Sequence, residues 1–213
     1  MIRISKENIE KGLSFTEWDF GNEVLYKLCK ENFEHKEKDK IIAKVWLIGR
    51  SYAAAIERRK NKTDINDNFY IKTVAPAFEK SYLDKYLLSF RIEKEISINN
   101  IEKILAVHNY LIQIIKEITG MEKRSFCSKY LHFHLPNLFF IYDSRSVAAL
   151  RNFISRIPTE LMYLTKVKES DNEYAKFFIK SFILKKQIKE NFGLELTPRE
   201  IDKILIVKAN SEI

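Results

Sequence analysis

The chain is expected to fold as an all-α protein, a single globular domain of about eight to ten helices. Three observations predict this. Only five Gly and four Pro in 213 residues leave few breakers. Apolar residues recur at helical rather than alternating spacing along most of the chain. A hydrophobic content of 46% is enough to fill a sizeable core. No internal repeat, low-complexity tract or Pro/Gly/Ser linker divides residues 1–213, although two lobes, 1–96 and 97–213, could pack together within that domain.

Thr16 or Asp19 can cap a helix that runs through Val24, Leu25, Leu28 and Cys29 to about Phe33. The charged run His35 to Lys40 is a turn, and a helix follows from about Asp39 to Arg59. Asn61 to Asp67 is polar and loop-like. Residues 67–92 place Phe69, Val74, Phe78, Tyr82, Tyr86 and Phe90 at helical spacing, with a bend at Pro76, which lacks a backbone donor. Ser97 or Asn99 starts a long amphipathic helix through Ile101, Leu105, His108, Ile112 and Ile115. Gly120 stands where a left-handed cap would close it.

A helix over 123–135 ends at Pro136, and Leu138 to Tyr142 is a buried extended run, too short and solitary to anchor a sheet. Helices over 143–155 and 159–168 are separated by Pro158, and another runs from Ser170 or Asp171 to Gly193. Thr197-Pro198-Arg199-Glu200 combines a capping box with Pro at the first helical position, which starts the last helix.

No window approaches 18 uninterrupted apolar residues, so no membrane span is expected. The first residues lack the apolar run of a secretory signal, and Cys29 and Cys127 form neither a metal-type spacing nor a disulfide framework. A reduced, cytoplasmic setting is the default expectation. No cofactor is implied. The net charge is +8, and it is concentrated. Residues 40–62 carry seven basic groups against Glu57, and 121–156 carry six against Glu122 and Asp143. Clustered positive charge is the footprint of a phosphate-binding surface, or else of two solvated helix ends.

Two segments hold the candidate chemistry. In W-L-I-G-R-S-Y-A-A-A-I-E-R-R, helical spacing places Ile42, Trp46, Arg50, Ala53 and Glu57 on one stripe, and Val45, Ile48, Tyr52 and Ile56 on another. Arg50 and Glu57 would then pair inside an apolar stripe, or Arg50 would offer its fork to a phosphate or carboxylate. Gly49 and Ala53 to Ala55 would let another helix approach. Arg58 and Arg59 would oppose the helix dipole at its C-terminus, and they are candidate anion contacts.

The second segment is Gly120 to Arg151. A helix there puts Phe126, Lys129 and Phe133 on one face, so Lys129 is either a desolvated amine or a snorkelling one. His132 and His134 lie about 200° apart around such a helix and cannot share a metal. Asp143 begins the next helix, where it is at least an N-cap. Its basic company is Lys123, Arg124, Lys129, Arg145 and Arg151.

This arrangement resembles the helix-hairpin-helix DNA glycosylase superfamily, over about residues 118–150. Ile118-Thr119-Gly120-Met121-Glu122 would stand for the hairpin, and Asp143 falls 23 residues after Gly120. Thr119 replaces the hairpin's proline and Glu122 its second glycine. The resemblance implies a DNA backbone grip by two helices and a catalytic aspartate at Asp143. It also implies a lysine soon after the hairpin, a position nearest to Lys123 or Arg124. Lys129 is offset from it by more than a turn and would need a different geometry. Tyr142 would be a base-stacking aromatic. The blocks W-L-I-G-R-S-Y-A-A-A-I-E-R-R, S-K-Y-L-H-F-H-L-P and I-Y-D-S also look like those of an uncharacterised bacterial protein family, which implies no activity.

Two main functions therefore stand beside each other. One is a DNA-binding protein on a degraded glycosylase-like scaffold, in which Arg50, Lys123, Arg124 and Arg145 position phosphates. The other is a non-catalytic interaction or accessory protein of a bacterial defence or regulatory system, with a protein partner. A small-molecule enzyme anchored by Arg50 and Lys129 has no nucleotide loop, metal cluster or nucleophile motif behind it.

Overall fold

Side-chain caps set many of the helix starts. Ser5, Asp143, Asp171 and Thr197 each accept a backbone N–H at the head of a helix, and at Thr16 the Asp19 carboxylate reaches back to the Thr16 N–H. The computed structural model describes residues 4–59 and 68–211, and among these no strand forms. The expected loop at Asn61 to Asp67 lies outside the described residues.

Ten α-helices follow in order among the described residues: α1 (Lys6–Leu13), α2 (Glu17–Glu31), α3 (Lys38–Ser51), α4 (Ala75–Glu79), α5 (Leu83–Leu88), α6 (Ile101–Thr119), α7 (Arg124–His134), α8 (Ser144–Phe153), α9 (Asn172–Phe192) and α10 (Pro198–Asn210). A π turn at Tyr70–Val74 leads into α4, and a 3-10 helix at Thr159–Lys166 lies between α8 and α9. No helix is long and apolar enough to cross a membrane.

The core is built round α7, in which every residue from Phe126 to His134 is buried. α2, α3 and α6 pack against it, while α10 joins α1 to α8, and α8 packs on α9. The N-terminal and C-terminal helices thus meet directly. Gly12 of α1 is what allows it, because a Cβ there would sit 2.5 Å from the Ile204 side chain and 2.9 Å from its backbone. The core crosses the 96/97 position, and the chain forms a single domain.

Gly120 and Gly193 close α6 and α9 with φ of 69°, the left-handed caps expected at those positions. Three expectations need correction. α1 has no counterpart among the expected helices: Ser5 caps it, and its buried positions are only Ile9 and Gly12. Such a short helix carries little periodic signal.

The helix expected to reach Arg59 ends at Ser51. Ala53 adopts φ of 50°, and Ala54 N–H bonds Gly49 O at 2.8 Å, so the alanines fold back on Gly49 instead of admitting another helix. Arg58 and Arg59 therefore do not sit at that helix's C-terminus. The single bent helix expected over 67–92 is several short pieces. Pro76 lies in the first turn of α4, and the break comes at Lys80–Tyr82. There Ser81 bonds Phe78 O, and the Tyr110 hydroxyl accepts the Tyr82 N–H.

Candidate functional site

The Leu138–Tyr142 run has no strand partner among the described residues, and one face of α7 supplies side chains to several of its backbone groups in place of a ladder. Ser128 Oγ accepts the Tyr142 N–H at 2.9 Å. Lys129 Nζ donates to Tyr142 O at 3.0 Å, and His132 Nδ1 donates to Phe139 O at 2.8 Å. This lacing delivers Asp143 to the head of α8, directly beside Lys129.

Lys129 is 1% exposed, and its Nζ lies 3.6 Å from Asp143 Oδ2. It also donates to Ser125 Oγ at 2.6 Å, and it faces the Tyr52 ring at 5.7 Å. Burial pushes its pKa below the ordinary lysine value, while Asp143 and Asp202 oppose that shift. Asp143 remains partly open, accepts the Arg145 N–H at 2.9 Å as the N-cap of α8, and has Arg145 Nε at 3.8 Å. The pair thus holds a carboxylate in a fixed orientation at a helix N-terminus, where the dipole favours negative charge.

Behind the pair lies a polar layer in which the candidates Tyr52 and His132 join Asp202, Arg199, Asn22 and Tyr26, which the sequence did not single out. Asp202 of α10 is 5% exposed and accepts from Ser146 Oγ at 3.2 Å and from Arg199 Nη1 at 2.7 Å. Burial raises its pKa, and Arg199 and Lys129 act against that rise. The Tyr52 hydroxyl donates to Asn22 Oδ1 at 2.7 Å, and Tyr26 donates to His132 Nε2 at 2.6 Å. Asn22, Tyr26, Arg199 and Lys203 line an open cavity of about 290 Å³. The one available signal was Asp202 itself, an acid flanked by the buried apolar residues Ile201, Ile204 and Leu205.

Arg50 and Glu57 pair at 2.7 Å, as one of the two expectations for them holds. The burial assumed for Arg50 does not hold. The Arg50 side chain is 59% exposed, above the Trp46 ring, because the chain turns after Ser51. The pair makes no ion pair or hydrogen bond with Lys129 or Asp143 among the described residues. Glu57 instead lies with Arg58 near Lys123, and burial together with the Arg58 charge lowers the Lys123 pKa. The two basic segments thus meet at the start of α7. Arg59 stacks on the Phe69 ring at 3.9 Å.

Arg124 is committed elsewhere: its fork binds Asp171 through two bonds of 2.5 and 2.7 Å, and Asp171 in turn caps α9. Glu122, at the hairpin, is held by Lys116 at 2.8 Å and Arg124 at 3.5 Å. Tyr142 is half-buried, edge-on to Phe177.

His132 and His134 go to different partners, as their angular separation required. His134 donates from Nδ1 to Tyr130 O, and its Nε2 accepts from Lys44 Nζ at 3.3 Å. Lys44, absent from the sequence-derived candidates, is fully buried and caps the end of α2 through the carbonyls of Asn32 and Glu34. Burial brings its pKa down to about 8. Beside it His35 donates to Asp84 and accepts from the Tyr130 hydroxyl. Neither group lines a cavity described here, and both serve packing.

Comparison with protein-family models, with curated proteins and with solved structures gave no match.

Proposed function

We propose that the chain is a DNA-binding protein on a scaffold like that of the helix-hairpin-helix glycosylases, with Asp143 as the acidic group of a base-releasing site. The observation that carries this proposal is the Lys129–Asp143 pair. A buried lysine on α7 holds a partly open carboxylate at the N-terminus of α8. Its setting supports the same conclusion: α6, a left-handed Gly120, α7, an extended run and an N-capping aspartate follow in the order that the resemblance implies. The basic side chains of Lys123 and Arg58, neighbours in space, would meet the phosphate backbone.

Asp143 would stabilise positive charge developing at C1′ as the base leaves with the electron pair of the glycosidic bond and takes up a proton. A water then adds its oxygen to C1′ and releases a proton, which balances the one taken up by the base. Lys129 acts as a positioning group. Its burial and its contacts with Ser125, Tyr142 and Asp143 leave no free amine to attack. Borohydride treatment should therefore trap no DNA adduct.

Duplex binding measured across salt concentrations tests the proposal, since neutralising phosphates makes affinity fall steeply with salt. Asp143→Asn should abolish base release and leave binding intact. Affinity that is unchanged between low and moderate salt would sink it.

The non-catalytic alternative rests on a different observation, the engagement of charged side chains at and beside the hairpin within the fold: Glu122 with Lys116 of α6, and Arg124 with Asp171, the cap of α9. On that account Asp143→Asn changes stability alone.

A further inference from the structure

A cavity of about 430 Å³ lies between α8, the 3-10 helix and the first half of α9. Its walls are apolar, formed by Val147, Leu150, Ile157, Met162 and Phe177. Its rim is cationic, with Arg151, Arg156, Lys176 and Lys180 against one acid, Glu173. Glu173 is already engaged with Lys176 at 3.1 Å. Lys180 bonds only the Ser155 carbonyl, at 3.1 Å, and Arg151 and Arg156 have no hydrogen-bond or ion-pair partner among the described residues. Three cations without a carboxylate thus converge on one apolar hollow. Arg151 and Lys180 are close enough for the arginine to depress the lysine pKa, with desolvation the larger cause.

Like charges gathered in this way repel one another until an anion enters. The size and sign of the rim say which anion. Three unneutralised cations suit a dianion better than a single carboxylate, and two guanidinium forks match the oxygens of a phosphate. The apolar walls give room for a ligand body, at the small end of ligand-pocket volumes of roughly 300–1,000 Å³. We propose that this cavity binds a terminal phosphate monoester carrying an apolar or aromatic body, a ligand of mononucleotide size.

The site is distinct from the Lys129–Asp143 pair. Arg151 lies eight residues beyond Asp143 on the same helix, roughly 12 Å along its axis. The proposal does not rest on DNA binding by that pair. A phosphate monoester could be a free nucleotide or the 5′ end of a strand, and the probes separate these sources.

Calorimetric titration with AMP, adenosine and inorganic phosphate at low ionic strength tests the site. AMP should bind at least tenfold more tightly than either part alone. The double variant Arg151→Gln/Arg156→Gln changes only exposed side chains and should weaken AMP binding tenfold or more, with an unchanged circular dichroism spectrum. Competition by a 5′-phosphorylated oligonucleotide that exceeds its 5′-hydroxyl counterpart assigns the site to strand ends. No competition by either strand assigns it to the free nucleotide, equal competition by both overturns recognition of a terminal phosphate, and both assignments require that AMP bind. Absence of AMP binding, equal affinity for AMP and adenosine, or AMP affinity unaltered in the double variant overturns the proposal.

Discussion

The Lys129 ammonium lies 3.6 Å from the Asp143 carboxylate, although a helix end, a proline and an extended run separate the two along the chain. One member is buried and the other partly open, so the two respond differently to substitution. Asp143→Ala removes both the α8 cap and the counter-charge of a buried ammonium. It should cost about 2–4 kcal/mol in urea unfolding. Asp143→Asn keeps a capping side chain and should cost about half as much. Equal losses would mean that the cap alone matters.

Acid should unfold the protein well above the carboxylate range. Burial brings the pKa of both His108 and His132 down to about 3, against 6.5 for a free imidazole. Between those values the unfolded chain binds protons that the native state refuses, so stability falls as pH falls from about 6.5 toward 3. Two such groups remove about 2.7 kcal/mol per pH unit in that window. His108 stacks on Tyr174 at 3.5 Å, and neither ring nitrogen has a hydrogen-bond partner among the described residues. His108→Phe should keep the stack and remove one proton from the slope, about 1.4 kcal/mol per pH unit. Urea midpoints at pH 7, 6 and 5 read this directly, and a slope that stays the same would refute it.

The engagement of Arg124 with Asp171 predicts that it serves the fold more than a phosphate surface. Its fork is closed on Asp171, which also caps α9. Arg124→Met should destabilise the protein by about 2–4 kcal/mol, because it leaves a half-buried carboxylate without its charge partner. Where the variant is still folded, DNA affinity should change less than twofold. A large affinity loss without a stability loss would return Arg124 to the binding surface.

Gly12→Ala should loosen the junction of α1 with α10. The added methyl meets backbone as well as side chain of Ile204, so helix axes have to shift. A loss of about 1–3 kcal/mol is expected, with faster amide exchange confined to α1 and the facing part of α10. Exchange unchanged in both helices would show that the contact yields easily.

Local chemistry made much of this molecule legible. The Thr197–Glu200 capping box, the left-handed glycines at 120 and 193, and the amphipathic run of α6 act over a few residues, and each stands where its sequence signal lies. Opposite directions for His132 and His134 follow from helix geometry alone, and Asp143 as an N-cap follows from residue type. Tertiary structure decided the rest. Whether α3 continued past Ser51 depended on the approach of Ala55 to Gly49, and with it went the burial of Arg50. Lys44, Arg199 and Asp202 carry charge in the interior because carbonyls and counter-charges from distant elements surround them. Lys129 is set against Asp143 because α7 is central enough to replace a missing strand for the 138–142 run. Periodicity shows which face of a helix turns inward. Which partners meet a charge there is settled only when separate elements pack, since burying it without them costs several kcal/mol.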